Sequence, residues 1–192
     1  MDSLAVFCRQ IRARSAEHRC ALGLLHRHDL SGQVISILRQ ELDSMVRTIY
    51  LLSIDDLKER TRLIRRTLAN EKWTVKTPRG RSQTITDRDM VELANALEGW
   101  TEYVYKFGCA FIHLSAFHLH ETRNPFLRLP ERERADIIRY LRHYHGGLCS
   151  DSPSMHELAW LLPDVFRKIS SNLDSYLKEL ENGASIVLKR RR

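Results

Sequence analysis

Apolar residues recur at every third or fourth position from residue 34 to residue 52, and this period restricts the fold more than any other feature of the chain. A helix with 3.6 residues per turn places such residues on one face, which then packs against a core. The preceding segment DLSG carries polar residues of the kind that begin helices. The stripe consists of Val34, Leu38, Leu42, Met45, Ile49 and Leu52. It predicts a core-facing helix over residues 34–52.

The same helical period continues through most of the chain. It predicts further helices at residues 3–25, 55–70, 87–118, 130–143, 155–162 and 163–181. The segment WTVKTPRGRSQTIT, at residues 73–86, instead alternates β-formers with polar residues around Pro-Arg-Gly, which predicts a small β-hairpin. We therefore expect an all-α antiparallel helical bundle of about five to seven helices. A single domain should cover residues 1–182, followed by a basic tail at residues 183–192.

The composition is that of a globular protein with a substantial core. Of the 192 residues, 43% are hydrophobic and 29% are charged. No run approaches the roughly 18 consecutive apolar residues that a membrane span needs, and the first residues, MDSLAVFCRQIRAR, lack the apolar segment of a signal peptide. These features predict a soluble, cytoplasmic protein with no membrane partner.

The cysteines and histidines do not predict a metal centre. The cysteines have neither CxxC nor CxxH spacing, which favours reduced thiols over disulfides or a zinc site. They are Cys8, Cys20, Cys109 and Cys149. His118, His120 and Glu121 lie close in sequence, but residues two positions apart point to different sides of a helix. We expect no bound metal and no cofactor.

Basic residues exceed acidic ones and concentrate in a few segments. The formal net charge is +7 and the pI is about 9.5, which permits a polyanionic partner without requiring one. The run KERTRLIRRTLANEK, at residues 58–72, holds its arginines at near-helical spacing. The candidates for nucleic-acid contact are Lys76, Arg79 and Arg81 in the hairpin and Lys189, Arg190, Arg191 and Arg192 in the tail. The alternative interpretations are a solvated helix face, a structural connector and a solubilising tail.

A polar stripe interrupts the aromatic-rich segment EYVYKFGCAFIHLSAFHLHETRNPF, which begins at residue 102. On a helix, Glu102, Lys106, Cys109 and His113 share one face. Lys106 and His113 are separated by two turns, or roughly 10.5 Å of helix rise, so they would flank a substrate group. The lysine would hold a phosphate and the imidazole would move a proton. In the alternative interpretation, His113 is a hydrogen-bonded core residue and Lys106 reaches into solvent.

These residues carry a resemblance to a known family. The run YKFGCAFIHLS, at residues 105–115, resembles the segment Tyr-Arg-x-x-Ser-x-x-x-His of a branch of the HEPN superfamily, with Lys106 in place of the arginine and His113 matching the histidine. The segment ILRQELDSMVRTIYLL is similar to the arginine-and-acid helix of that family. Its Arg39, Asp43 and Arg47 form a ladder with i, i+4 spacing. The order of elements agrees over roughly residues 30–120.

The resemblance implies a homodimer in which two copies of the motif line one cleft, with residues 34–52 or 87–118 at the interface. Active members of the family are metal-independent ribonucleases of prokaryotic defence and toxin–antitoxin systems. Their histidine assists attack of a ribose 2′-hydroxyl, and their arginine stabilises the anionic transition state. Here Lys106 lacks the planar fork of arginine, and Cys109 replaces the serine. The chain is therefore either such a ribonuclease or a non-catalytic helical dimer that binds RNA, a cognate protein partner or a larger nucleoprotein as a regulatory module.

A second candidate site lies in the segment RYLRHYHGG. Arg139 and His143 are one turn apart, while Arg139 and His145 have the Arg-x5-His spacing of the same superfamily. In the alternative interpretation, these cations only complement the dipole at the end of a helix that the Gly-Gly pair terminates.

Overall fold

The structure, a computed structural model, describes residues 2–76, 80–113, 115–119, 124–146 and 150–186. Within these residues the chain forms seven α-helices and one sheet of two short antiparallel strands. The predicted all-α fold with a small hairpin is therefore confirmed. Across the same ranges, every helix is too short or too polar to cross a membrane.

Three of the α-helices are long, with 22 to 27 residues, and the other four are shorter. The α-helices are α1 Ser3–Arg27, α2 Ser31–Leu52, α3 Leu57–Leu68, α4 Asp87–Glu98, α5 Thr101–Ile112, α6 Glu131–His145 and α7 Met155–Glu181. Short 3₁₀ helices cover Ala116–Leu119 and Pro125–Arg128. The hairpin consists of β1 Thr74–Lys76 and β2 Ser82–Thr84, with Thr74 opposite Thr84.

The apolar stripe of α2 lies in the core, as predicted. All six of its predicted core residues are buried, and the most exposed of them retains 3% of its accessible surface. Burial of apolar side chains contributes most of the favourable free energy of folding, so this face holds α2 in the core. The same burial means that these side chains are not available for contacts with a second copy of the chain.

The predicted helix at residues 87–118 is wrong, because the structure divides this segment into α4 and α5. Gly99 ends α4 with a left-handed φ of 79°, and its N–H donates to the carbonyl of Asn95. Glycine adopts this conformation at low cost and commonly terminates helices. Helix α5 then ends at Ile112, before residue 118, where the predicted helix ended.

The predicted boundary at Pro163 is also wrong, because α7 continues through this proline. A proline inside a helix removes one backbone hydrogen bond at a cost of about 3 kcal/mol. The buried residues nevertheless keep their helical period on both sides of it, with Leu158, Leu162 and Phe166 all in the core. Burial of one continuous face offsets the local cost.

The chain divides into two compact units, described here one at a time. The first unit contains the described parts of Met1–Ala16, Asp43–Gly99 and Ser170–Arg192, and the second contains those of Glu17–Leu42 and Trp100–Ile169. Arg60, buried at 3% exposure, lies in the first unit. The second unit contains a buried pair in which Nδ1 of His18 lies 2.7 Å from Oε2 of Glu41. The single domain that the sequence predicts for residues 1–182 stays a prediction.

Candidate nucleic-acid interface

Lys106 projects from α5 and is about half exposed. Its Nζ lies 2.9 Å from Oε1 of Glu102 and donates to Oε1 of Glu133 at 3.1 Å. The hydrogen bonds to Glu102 and then to Glu133 raise the pKa of Lys106. Two carboxylates therefore surround this cation, and an incoming phosphate would have to displace them.

His113 lies just beyond the end of α5. Its backbone is extended, with φ of −94° and ψ of 142°, and its N–H donates to the carbonyl of Cys109 at 3.1 Å. The side chain is exposed. The interpretation of His113 as a core residue is therefore wrong. The predicted stripe is also one residue too long, because the helix that carries Glu102, Lys106 and Cys109 ends before His113.

Arg39 is a buried residue, at 6% exposure, rather than an open phosphate ligand. Its guanidinium lies 4.2 Å from the centroid of the Tyr105 ring. Burial raises the pKa of Tyr105, Cys109 adds to this effect, and the charge of Arg39 opposes it. Arg39 thus packs against α5 together with Tyr105 and Cys109, which explains why the segment contains polar atoms among its aromatic residues.

The other two residues of the predicted ladder lie in the first unit. Nη2 of Arg47 is 3.4 Å from Oδ1 of Asp43 and 3.6 Å from Oδ1 of Asp87. The guanidinium also lies 4.9 Å from the ring centroid of Trp73. Arg47 and Asp43 therefore form the expected i, i+4 pair, and this pair belongs to the packing of α2 against α4 and the hairpin.

The second candidate site does not converge on one point. Arg139 pairs with Asp136 at 2.7 Å and is 69% exposed, and His143 is exposed against the edge of Tyr144. His145 is half-buried; burial and the charges of Lys168 and Arg167 lower its pKa, whereas Asp164 raises it. His145 lies six positions after Arg139 on the regular helix α6. The two side chains therefore point about 120° apart around the helix axis.

A basic groove lies along α3 in the first unit. Its volume is about 610 Å³, and we call it the α3 groove. It is lined by Leu57, Lys58, Thr61, Arg62, Arg65, Arg66, Ala69 and Glu71. Four of these eight side chains are cationic and one is acidic, so the groove has a net positive charge. The spacing of residues 58, 62 and 65 places three cations on one helix face.

Two of the arginines connect the groove to the hairpin. Nη2 of Arg62 donates to Oε1 of Glu59 at 2.6 Å and to the carbonyl of Thr74 at 2.5 Å. Nε of Arg66 donates to the carbonyl of Lys72 at 2.7 Å. These bonds hold β1 and the residues before it against α3. The exposed Lys72 and the predicted contact Lys76 are thereby kept close to the groove.

The remaining two cations of the groove are Lys58 and Arg65. In the part of the chain that the structure describes, no carboxylate lies within ion-pairing distance of Lys58 or Arg65. Arg65 is exposed, as is Lys58 at the start of the helix. These side chains are free to contact a phosphate. In the sequence, these residues belong to the run at residues 58–72, whose arginines have near-helical spacing. Composition alone does not distinguish a phosphate-binding groove from a solvated helix face.

Several predicted contacts cannot be placed. Arg81 is exposed on the hairpin, while Arg79 lies outside the described residues. The residues that also lie outside the described ranges are His120, Glu121, Cys149 and the tail cations Lys189, Arg190, Arg191 and Arg192. In the ranges that are described, no three His, Cys, Asp or Glu side chains are grouped so that they could hold a metal ion.

Comparison of the chain with protein-family models, with curated proteins and with solved structures gave no significant match. The resemblance to the HEPN superfamily therefore rests on residues 105–115 and on the arginine-and-acid segment of α2. It stays a prediction, as do the homodimer and the cognate protein partner.

Proposed function

We propose that the protein binds RNA and that the α3 groove, with the adjoining hairpin, contacts the phosphate backbone. The observation that carries this proposal is the set of four cations in one groove, two of which have no acidic partner in the described chain. Arginine and lysine at a surface groove attract polyanions and release their counterions on binding. The choice of RNA over DNA rests on the resemblance to the HEPN superfamily.

The groove favours contacts that do not depend on base sequence. None of its lining side chains is aromatic, and the nearby Trp73 is buried at 2% exposure. Stacking of bases on exposed aromatic rings is therefore absent from this surface. Contacts to phosphates fix position and contribute affinity but carry no direct sequence information. Binding should accordingly be strongly salt-dependent.

Reversing the two unpartnered charges should weaken RNA binding at least about tenfold at moderate salt, because each cation that meets a phosphate contributes counterion release. The variant is Lys58→Glu with Arg65→Glu, measured by fluorescence anisotropy with a labelled single-stranded RNA and with DNA of the same sequence. In a plot of the logarithm of the association constant against the logarithm of the salt concentration, the magnitude of the negative slope should decrease by roughly 1.4.

The matched control is Arg88→Glu with Lys178→Glu, two exposed cations of the same unit that lie outside the groove. Each double variant replaces one lysine and one arginine by glutamate, so both lower the formal net charge from +7 to +3. Equal loss of binding in the two variants would show that only net charge matters and would reject the groove. Tighter binding of DNA than of RNA would reject the choice of RNA.

A ribonuclease site is the second candidate, and the exposure of His113 favours it. If this site is catalytic, His113→Ala should abolish metal-independent RNA cleavage and leave RNA binding and helix content unchanged, because the imidazole acts on the proton of the attacking hydroxyl. Lys106→Arg should keep or raise the activity, since the planar guanidinium binds phosphate through two bonds. Cleavage is measured on a labelled RNA in excess chelator.

His28→Ala, which removes an exposed histidine of the second unit outside both candidate sites, serves as the control for the ribonuclease assay. Wild-type protein that cleaves no RNA, or His113→Ala protein that retains the parent rate, would exclude catalysis at this site. RNA binding through the α3 groove would be unaffected by that result.

A further inference from the structure

Two neighbouring cavities lie inside the second unit. The first has a volume of about 90 Å³ and is lined by apolar side chains of α2, α5, α6 and α7 and by Phe126. The second has a volume of about 70 Å³ and is lined by aromatic residues together with His145 and Lys168. Five residues line both cavities: Tyr103, Val104, Ile137, Leu141 and Val165. The two cavities are therefore adjacent.

The first cavity has almost no polar lining. Tyr103 is the one described lining residue with a polar side-chain atom, and its hydroxyl donates to Oδ2 of Asp136 at 2.8 Å. Burial and, to a smaller extent, the hydrogen bond and charge of Asp136 raise the pKa of Tyr103 to about 12. The hydroxyl therefore stays protonated and keeps donating to Asp136. An apolar lining of this kind offers few hydrogen bonds to water and favours apolar groups.

The second cavity contains a cation, Lys168, that lies against aromatic rings. Nζ of Lys168 lies 3.8 Å from the ring centroid of Tyr144 and 5.5 Å from that of Trp100. Asp164, one turn earlier on α7, pairs with Arg167 at 2.5 Å instead. In the described parts of the chain, no carboxylate lies within ion-pairing distance of Lys168. Lys168 is half-buried beside two aromatic faces, and a carboxylate at this position would add a charge-assisted hydrogen bond to these contacts.

We propose that these two cavities form one binding site for a small amphipathic carboxylate. The carboxylate pairs with Lys168, and a ring or short chain occupies the apolar cavity behind Tyr103 and Val104. The cavities have volumes of about 90 Å³ and 70 Å³, each smaller than the roughly 150 Å³ of an apolar protein cavity that holds benzene, so a ligand of this kind has to use both spaces. A single aromatic ring with a short acidic arm, such as phenylacetate, combines the apolar surface and the negative charge that these two linings complement. The site and the α3 groove use different residues, so neither proposal requires the other.

The first test compares phenylacetate with 2-phenylethanol, which has the same ring and arm length but no charge. Isothermal titration calorimetry should show that wild-type protein binds phenylacetate at least about tenfold more tightly, because a hydrogen-bonded ion pair with Lys168 forms only with the acid. Equal affinities would reject the role of Lys168. The absence of phenylacetate binding up to about 10 mM would reject the site itself.

The second test uses variants of the site. Lys168→Met keeps the length of the side chain and removes its charge, so it should weaken phenylacetate binding about tenfold and change 2-phenylethanol binding less than about twofold. Lys178→Met, on the same helix but paired with Asp174, is the control and should bind phenylacetate as the parent does. An unchanged phenylacetate affinity in Lys168→Met would overturn the proposal.

Val165→Phe places a ring in the shared wall and should abolish binding of both compounds. Circular dichroism of each variant checks that the helices remain folded. If Val165→Phe is folded and still binds phenylacetate as wild type does, the ligand lies elsewhere and the proposed site is wrong. The wild-type comparison of the two compounds decides the question even if a variant does not fold.

Discussion

Replacing Arg60 by methionine should destabilise the first unit by about 3 kcal/mol, because the guanidinium connects three parts of the chain from a buried position. Its Nε donates to the carbonyl of Ile54 at 2.5 Å, and Nη1 donates to that of Ala184 at 2.7 Å. Nη2 donates to Oγ of Ser185 at 2.6 Å and lies 3.4 Å from the carbonyl of Leu52. Methionine fills similar space but leaves these acceptors without their donor.

Burial opposes the charge of Arg60 and lowers its pKa, with Asp55 acting in the opposite direction. Removing the guanidinium therefore also removes the free-energy cost of burying its charge. The expected loss of stability is for this reason smaller than the summed contributions of its hydrogen bonds. The measurement is urea unfolding followed by circular dichroism.

The matched control is Arg65→Met, the same substitution at an exposed position of α3, which should change stability by less than about 0.5 kcal/mol. Equal urea midpoints for the two variants would contradict the role assigned to Arg60. Arg60→Lys should fall between wild type and Arg60→Met, because an ammonium keeps the charge but cannot reach all the acceptors of a planar guanidinium.

Gly108→Ala should destabilise the protein by about 2 kcal/mol, although alanine is the better helix former. A Cβ at residue 108 would lie 2.6 Å from Cβ of Arg39, 3.2 Å from its Cγ and 3.3 Å from its Cδ. The first of these atoms is fixed to the backbone of α2, so the two helices would have to separate. This separation would also disturb the contact of Arg39 with the Tyr105 ring.

Gly23→Ala provides a control of opposite sign. Gly23 lies in α1, and no heavy atom outside its local backbone comes within 4 Å of the position of an added Cβ. Alanine should therefore stabilise the protein by roughly 0.5–1 kcal/mol through its helix propensity alone. A thermal melt in which both variants shift in the same direction would show that Gly108 is not a close-packing residue.

The helices whose apolar residues repeat regularly follow from the sequence alone. The stripe of α2 and the hairpin at residues 73–86 are local patterns, because a helix or a tight turn depends on residues only a few positions apart. The start of α4 is local as well, since Thr86 and Asp89 form the reciprocal capping bonds that this spacing predicts. Exposure of Lys106 was also among the alternatives that the sequence left open.

Tertiary structure decided what local patterns leave undetermined. The sequence placed Lys106 and His113 on one helix, but the partner Glu133 comes from α6, 27 residues away, and only packing brings it near. The continuation of α7 through Pro163 likewise depends on burial of its whole face rather than on the preferences of one residue. The contacts of Lys168 with Trp100 and Tyr144, the cavity beside them and the approach of Gly108 to Arg39 arise between elements that are distant in sequence. Local periodicity therefore determined most of the elements, whereas the candidate sites depend on long-range contacts.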